Sequence, residues 1–170
     1  MSKRKRERAY GETMSEEQNI KAFLMVLREG EGTADEDGYR RMYGGRKGSE
    51  FRHFTSFADH PREVWGAPGS QLRSDAAGAY QIMSYTWDDI QKALHLPDFS
   101  PESQDKAALW LVGVKRRALD DVKAGLFQRA VAKCANEWAS LPGSPYGQPT
   151  RTIAHASKVY TDNGGEFAAT

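Results

Sequence analysis

Two stretches with the apolar spacing of a helix bracket a middle section that lacks it, and this contrast sets the fold class. Ile20, Phe23, Leu24 and Leu27 recur at helical spacing, and Phe127, Val131, Cys134, Trp138 and Leu141 step by four, three, four and three. Each set lays one apolar face along a helix. Between them, residues 33–82 are dominated by Gly, Asp, Tyr and Phe, with Gly44-Gly45 and Ala67-Pro68-Gly69 as turn marks. The pattern predicts an α+β fold: a mostly helical body with a small irregular β region, whose short strands are expected at 39–43 and 51–57.

Local signals place the helix ends. Ser15 followed by Gln18 matches a capping box, and Glu16 and Glu17 suit the positive end of a helix dipole, so the first helix is expected to start at Ser15. Gly30 and Gly32 stop it. A second helix is expected over 85–94 with Trp87, Ile90 and Leu94 inward. Ser100-Pro101-Glu102 offers a Ser cap, a Pro at the first helical position and then an acid, so a third helix starts there. It holds the apolar run 107–114, should be buried, and ends near Arg116 and Arg117. A fourth helix is expected over 126–140, before a loop stiffened by Pro142, Pro145 and Pro149 around Tyr146. At 170 residues the chain is read as one domain, 15–170, preceded by a disordered basic tail, 1–14.

Charge and composition narrow the function. Lys plus Arg number 24 against 23 Asp plus Glu, so nothing in the overall balance points to nucleic acid, and no nucleic-acid partner is expected. The basic start (Lys3, Arg4, Lys5, Arg6, Arg8) runs into Ala-Tyr-Gly-Glu-Thr rather than an apolar stretch, so no secretory signal is read. The run 107–114 is too short to span a membrane, and cytosolic synthesis without membrane insertion is expected. A single cysteine forms no internal disulfide. Cys134 on an apolar face reads as a core residue. The histidines at 53, 60, 95 and 155 are scattered, no phosphate loop or nucleophile elbow is present, and no metal or cofactor is expected.

Glu31 stands out for chemistry. It lies four, seven and eleven residues after Leu27, Leu24 and Ile20, so a helix reaching that far would put it on the inward stripe. Burial and the helix C-terminus would both raise its pKa and keep it protonated as a general acid. The alternative is a helix-end residue held in a salt bridge. Two further segments offer groups suited to sugars. Residues 74–82, Ser-Asp-Ala-Ala-Gly-Ala-Tyr-Gln-Ile, bring Ser74, Tyr80 and Gln81 beside small residues that allow close approach. Residues 136–148 carry Trp138, Tyr146 and Gln148 on a stiff loop that could wall a groove. An ordinary turn and an ordinary helix exit are the alternatives for these two.

In order, these segments resemble the endolysin family of phage lambda. The resemblance is carried by Lys21-Ala22-Phe23-Leu24 with Glu31-Gly32-Thr33, Asp59-His60-Pro61-Arg62, Ala77-Gly78-Ala79-Tyr80-Gln81, Asp98-Phe99-Ser100-Pro101, Ser103-Gln104-Asp105, Trp138-Ala139-Ser140-Leu141-Pro142-Gly143 and Tyr146-Gly147-Gln148. It runs from about residue 20 to 165 and leaves the basic start outside. It implies a lysozyme-like fold with a substrate groove between the helical body and the irregular region. Flexible lips would lie at about 64–73 and 141–152. It also implies a lytic transglycosylase that cleaves peptidoglycan glycan strands between N-acetylmuramic acid and N-acetylglucosamine; a monomer is expected. Glu31 would be its acid, and Ser74, Tyr80, Gln81, Trp138, Tyr146 and Gln148 its sugar contacts. Such an enzyme waits in the host cytoplasm until a holin opens the inner membrane, then acts in the periplasm. A hydrolytic muramidase pairing Glu31 with Asp35, Asp37, Asp59 or Asp75, and a non-catalytic wall-binding module, remain the alternatives.

Overall fold

The computed structural model describes residues 2–169. Its helices, in chain order, are α1 (Lys3–Gly30), a 3₁₀ turn (Glu36–Arg40), α2 (Ser84–Leu94), α3 (Pro101–Trp110), a π-helical segment (Leu111–Lys115), α4 (Leu119–Lys123), α5 (Phe127–Cys134) and α6 (Ile153–Asp162). The chain forms two compact units: residues 31–110, and a discontinuous unit of 1–30 with 111–170. No helix among the described residues is long and apolar enough to cross a membrane.

The discontinuous unit is built on α1. Ala22, Phe23, Val26 and Leu27 are buried along one face, as the apolar spacing requires. Phe127 of α5 collects the core: its ring lies 6.1 Å from Phe23, 4.6 Å from Tyr160 and 5.8 Å from Phe167. Asn19, buried on α1, donates to the Lys123 carbonyl at 3.1 Å and accepts the Glu166 N–H at 2.8 Å, so it ties α4 and the 163–168 segment to the helix. Val131, Cys134, Trp138 and Leu141 are all buried, so the stripe read after Phe127 holds. The helix itself stops at Cys134, and the stripe continues through turns. Burial pushes the Cys134 thiol up to about 12, as befits a core residue.

The start of α1 differs from expectation. The helix extends back to Lys3, so the residues read as a disordered tail are helical from that point. Ser15 therefore lies mid-helix and caps nothing. Its hydroxyl instead donates to Glu166, and Gln18 donates to the Asn163 carbonyl at 2.7 Å. Spacing supports the extension, because Lys3–Glu7 and Arg8–Glu12 are i,i+4 ion pairs.

In the 31–110 unit, Phe99 sits among Trp87 (4.8 Å), His60 (5.0 Å) and Phe54 (5.8 Å). Trp87 and Ile90 of α2 are fully buried, whereas Leu94 is exposed rather than inward. α3 begins as read: the Ser100 hydroxyl accepts the Ser103 N–H ahead of Pro101.

Among the described residues the expected β region forms no extended strands: Glu36–Arg40 is a 3₁₀ turn, and isolated bridges join Arg41 to His53, Met42 to Ala77, Trp65 to Ser74 and Ala77 to Ile82. The segment 40–43 is hydrogen-bonded on both sides, with Met42 N–H to Arg52 O at 2.8 Å and Gly78 N–H to Arg41 O at 2.8 Å. Positive φ at Gly44, Arg52, Gly78 and Gln81 turns the backbone before a ladder can extend.

Candidate active site

α1 ends at Gly30, so Glu31 does not continue the apolar stripe as a helical residue. It occupies the turn immediately after, half-buried. A Cβ at Gly30 would stand 2.5 Å from the Ser140 Oγ, so a side chain there would push the Ser140 hydroxyl aside. Gly32 has φ +69° and nothing within 4 Å of where its Cβ would be, so the turn is left-handed and open on that side.

Three contacts fix this turn from below. The buried Thr33 hydroxyl donates to the Ala79 carbonyl at 2.5 Å. Gly38 approaches so closely that a Cβ would meet the Thr33 carbonyl oxygen at 1.9 Å. Arg41, 3% exposed, donates to the Gly32 carbonyl at 2.6 Å. The same guanidinium holds both Asp35 oxygens, at 2.7 and 2.8 Å, and donates to His53 Nε2 at 3.1 Å. Arg41's hydrogen bonds keep the Asp35 carboxyl below the usual carboxylate range, against the opposing effect of burial.

The 74–82 segment is laced to its surroundings. Gly78 has φ +80°, and the buried Gln104 amide fills the space its missing side chain leaves. Gln104 Oε1 accepts the Ala79 N–H at 2.8 Å, while its Nε2 donates to the Phe99 and Tyr39 carbonyls at 2.8 and 3.0 Å. The predicted close approach at Gly78 is thus made by the protein itself.

The predicted sugar contacts divide. Tyr80 is 2% exposed, and its hydroxyl donates to Asp105 at 2.6 Å beside that of Tyr39 at 2.8 Å. Gln81 donates to the Arg41 and Gly78 carbonyls at 3.0 and 2.9 Å. The Ser74 hydroxyl donates to the Met83 sulfur and accepts the Ala76 N–H. Trp138 is 3% exposed. The Tyr80 and Trp138 side chains therefore belong to the packed framework rather than to an open wall. Tyr146 and Gln148 are exposed, with the Tyr146 hydroxyl donating to the Asn136 carbonyl at 2.7 Å. Their loop is tied down where the Arg151 N–H meets the Ser140 carbonyl at 2.8 Å and the Arg151 guanidinium meets Glu29 at 3.1 Å. Glu31, Ser74, Tyr80 and Gln81 belong to the 31–110 unit, and Trp138, Tyr146 and Gln148 to the discontinuous one.

Sequence reasoning missed Arg41. The signal was present: an Arg-Arg pair set among aromatic and Gly residues that read as a strand. Among the described residues no group of His, Cys, Asp or Glu is arranged to hold a metal ion.

Comparison with known proteins adds to this geometry. The family model described as Endolysin matches residues 21–167. An endolysin of Escherichia phage P2 is 40% identical over 159 residues, covering 87% of this chain and 94% of that protein. The endolysin of Escherichia phage lambda is 41% identical over 134 residues, covering 75% and 80%. The structure of bacteriophage lambda lysozyme complexed with a chitohexasaccharide superposes with a TM-score of 0.78 at 36% identity, covering 88% of this chain and 96% of that one. A second structure of the lambda lysozyme gives 0.73 at the same identity and coverage. The fold is therefore lambda lysozyme-like.

Proposed function

The chain belongs to the endolysin family, and we propose that it cleaves peptidoglycan by lytic transglycosylation with Glu31 as its one catalytic carboxyl. Glu31 gives its proton to the glycosidic oxygen as the bond from the muramic acid C1 breaks. The resulting carboxylate takes the proton of the muramic acid 6-hydroxyl as O6 closes on C1. The product is a 1,6-anhydro ring, no water is consumed, and Glu31 regains its proton. The substrate supplies its own nucleophile at high effective concentration, so a second carboxylate is unnecessary.

The observation that carries this reading is that the aspartates available as a second carboxylate are already engaged. A retaining hydrolase needs one as nucleophile and an inverting one as base. Both Asp35 oxygens lie on Arg41. Asp59 accepts from Trp87 Nε1 at 3.1 Å and Arg62 Nε at 3.2 Å. Asp75 accepts the Ser84 N–H and hydroxyl, and Asp37 pairs with Arg40 at 3.7 Å. The chitohexasaccharide in the lambda lysozyme complex supports a glycan as ligand. The proposal extends to a monomer released to the cell wall by a holin, with Tyr146 and Gln148 retained as sugar contacts.

Mass spectrometry of muropeptides released from purified peptidoglycan tests this. Products one water lighter than hydrolysis products, absent with Glu31→Gln, are expected. Reducing-end products of full mass would make the enzyme a hydrolase and overturn the reading.

A further inference from the structure

We propose that Arg41 is a positioning residue that holds the Glu31 turn in its reactive geometry, and that Asp35 is its charge-neutralising partner; this rests on the reading of Glu31 as the acid. Arg41 is buried, and its guanidinium is engaged on three sides: the Gly32 carbonyl, one residue after Glu31, both oxygens of Asp35, and Nε2 of His53. His53 is itself fixed by a contact from Nδ1 to the Phe51 carbonyl at 3.0 Å. With Nδ1–H donating there, Nε2 is left to accept from Arg41. The backbone of Arg41 is held too, because its carbonyl accepts from Gln81 Nε2 and the Gly78 N–H.

A planar fork with several donors can make all of these contacts at once, whereas an ammonium cannot. The peptide after Glu31 is thereby anchored although the turn is left-handed and open at Gly32. An acid poised on such a turn needs outside support, because a misplacement of about 1 Å can cost two orders of magnitude in rate. A bare buried cation one peptide away would pull Glu31 toward its charged form and spoil it as a proton donor. Asp35, paired two-on-two with Arg41, cancels that charge while leaving the mechanical support in place.

The test uses the full-length enzyme on soluble glycan strands, with rates expressed per folded molecule from circular dichroism at the assay temperature. Arg41→Lys keeps the charge and loses the fork; it should lower kcat about tenfold or more with KM within about twofold. Asp35→Asn keeps the Arg41–Gly32 contact and leaves the cation uncompensated. It should move the alkaline limb of the kcat–pH profile to lower pH by about half a unit or more, because the acid then loses its proton sooner. Wild-type kcat per folded molecule in Arg41→Lys, or an Asp35→Asn profile that superimposes on wild type, overturns the proposal. Glu31→Gln is run alongside. If it stays active, the acid itself is misassigned and the positioning role falls with it. If it is dead while both other variants behave as wild type, the positioning role alone fails.

Discussion

Gly78 lies so close to Gln104 that a Cβ at residue 78 would stand 2.3 Å from the Gln104 Oε1. That amide closes three backbone gaps, at Ala79, Phe99 and Tyr39, under the segment that supports the Glu31 turn. Gly78→Ala adds left-handed strain to the clash and should cost about 2–4 kcal/mol in urea unfolding. Gly143→Ala, also at positive φ but with open space around its Cβ, should cost only the strain, about 1–2 kcal/mol. Equal losses at the two sites would mean the Gln104 contact carries no weight.

Phe127 joins Phe23, Tyr160 and Phe167 in one cluster and is 3% exposed. Phe127→Ala should destabilise by about 3–5 kcal/mol, and Phe127→Leu by clearly less. Thermal melts of the two variants measure this. A cost below about 1 kcal/mol for alanine would show that the cluster is not the centre of this unit's core.

His60 makes stability depend on pH. It is 3% exposed, Nε2–H donates to the Ile82 carbonyl at 2.8 Å, and Nδ1 accepts the Arg62 N–H at 3.0 Å. A proton added at Nδ1 would face another N–H. Burial holds its pKa below the ordinary value of 6.5, with the Ile82 hydrogen bond and then the nearby Asp75 and Asp59 only partly opposing, and Arg62 acting with burial. The unfolded chain therefore binds a proton that the folded one refuses. Stability is complete above about pH 6.5 and falls as pH drops through the window down to the folded-state pKa. The stability difference between wild type and His60→Gln should be largest near pH 8 and shrink toward pH 5. A difference that does not change with pH removes His60 as the cause.

Glu29 accepts from Arg151 at 3.1 and 3.2 Å and pairs with His155 at 3.1 Å. Arg151 is 44% exposed, so the pair contributes under about 1 kcal/mol to stability. Its effect is on the loop bearing Tyr146 and Gln148. Glu29→Gln should raise KM for glycan strands several-fold while kcat and the melting midpoint hardly move. A lowered kcat with normal KM would assign the loop another role.

Helices with a strong apolar stripe or a strong cap were readable from sequence. Phe127 to Leu141 lie on a buried face, and Ser100-Pro101 starts α3, because each depends on local spacing or chemistry. Failures arose where distant partners decide. Ser15 reads as a cap, yet Glu166, 151 residues on, takes its hydroxyl. The strands at 39–43 and 51–57 have suitable residues, but Arg52 at φ +55° ends the pairing. α4 and α6 were not foreseen, since α4 is one short turn and α6 follows a Pro-rich loop. Tyr80 and Trp138 have the composition of sugar contacts, and only packing shows that they face inward. Glu31 drew notice from its spacing after the apolar stripe and from the glycines on either side, yet it sits in the turn beyond α1, and the Arg41 contact to the Gly32 carbonyl depends on a fold no local pattern encodes.

The split into a continuous 31–110 unit and a discontinuous partner has a consequence for biosynthesis. Residues 31–110 are contiguous, so every partner within that unit has been made once they leave the ribosome. The other unit cannot, because α1 waits for contacts such as Asn19 to the Glu166 N–H, made 147 residues later. Throughout translation the first helix to be made is the last to find its core. An interrupted chain would carry α1 without the later segments that bury its apolar face. An incomplete copy is thus unfinished in structure as well as in length, and it is exposed to proteases before it can turn over a glycan.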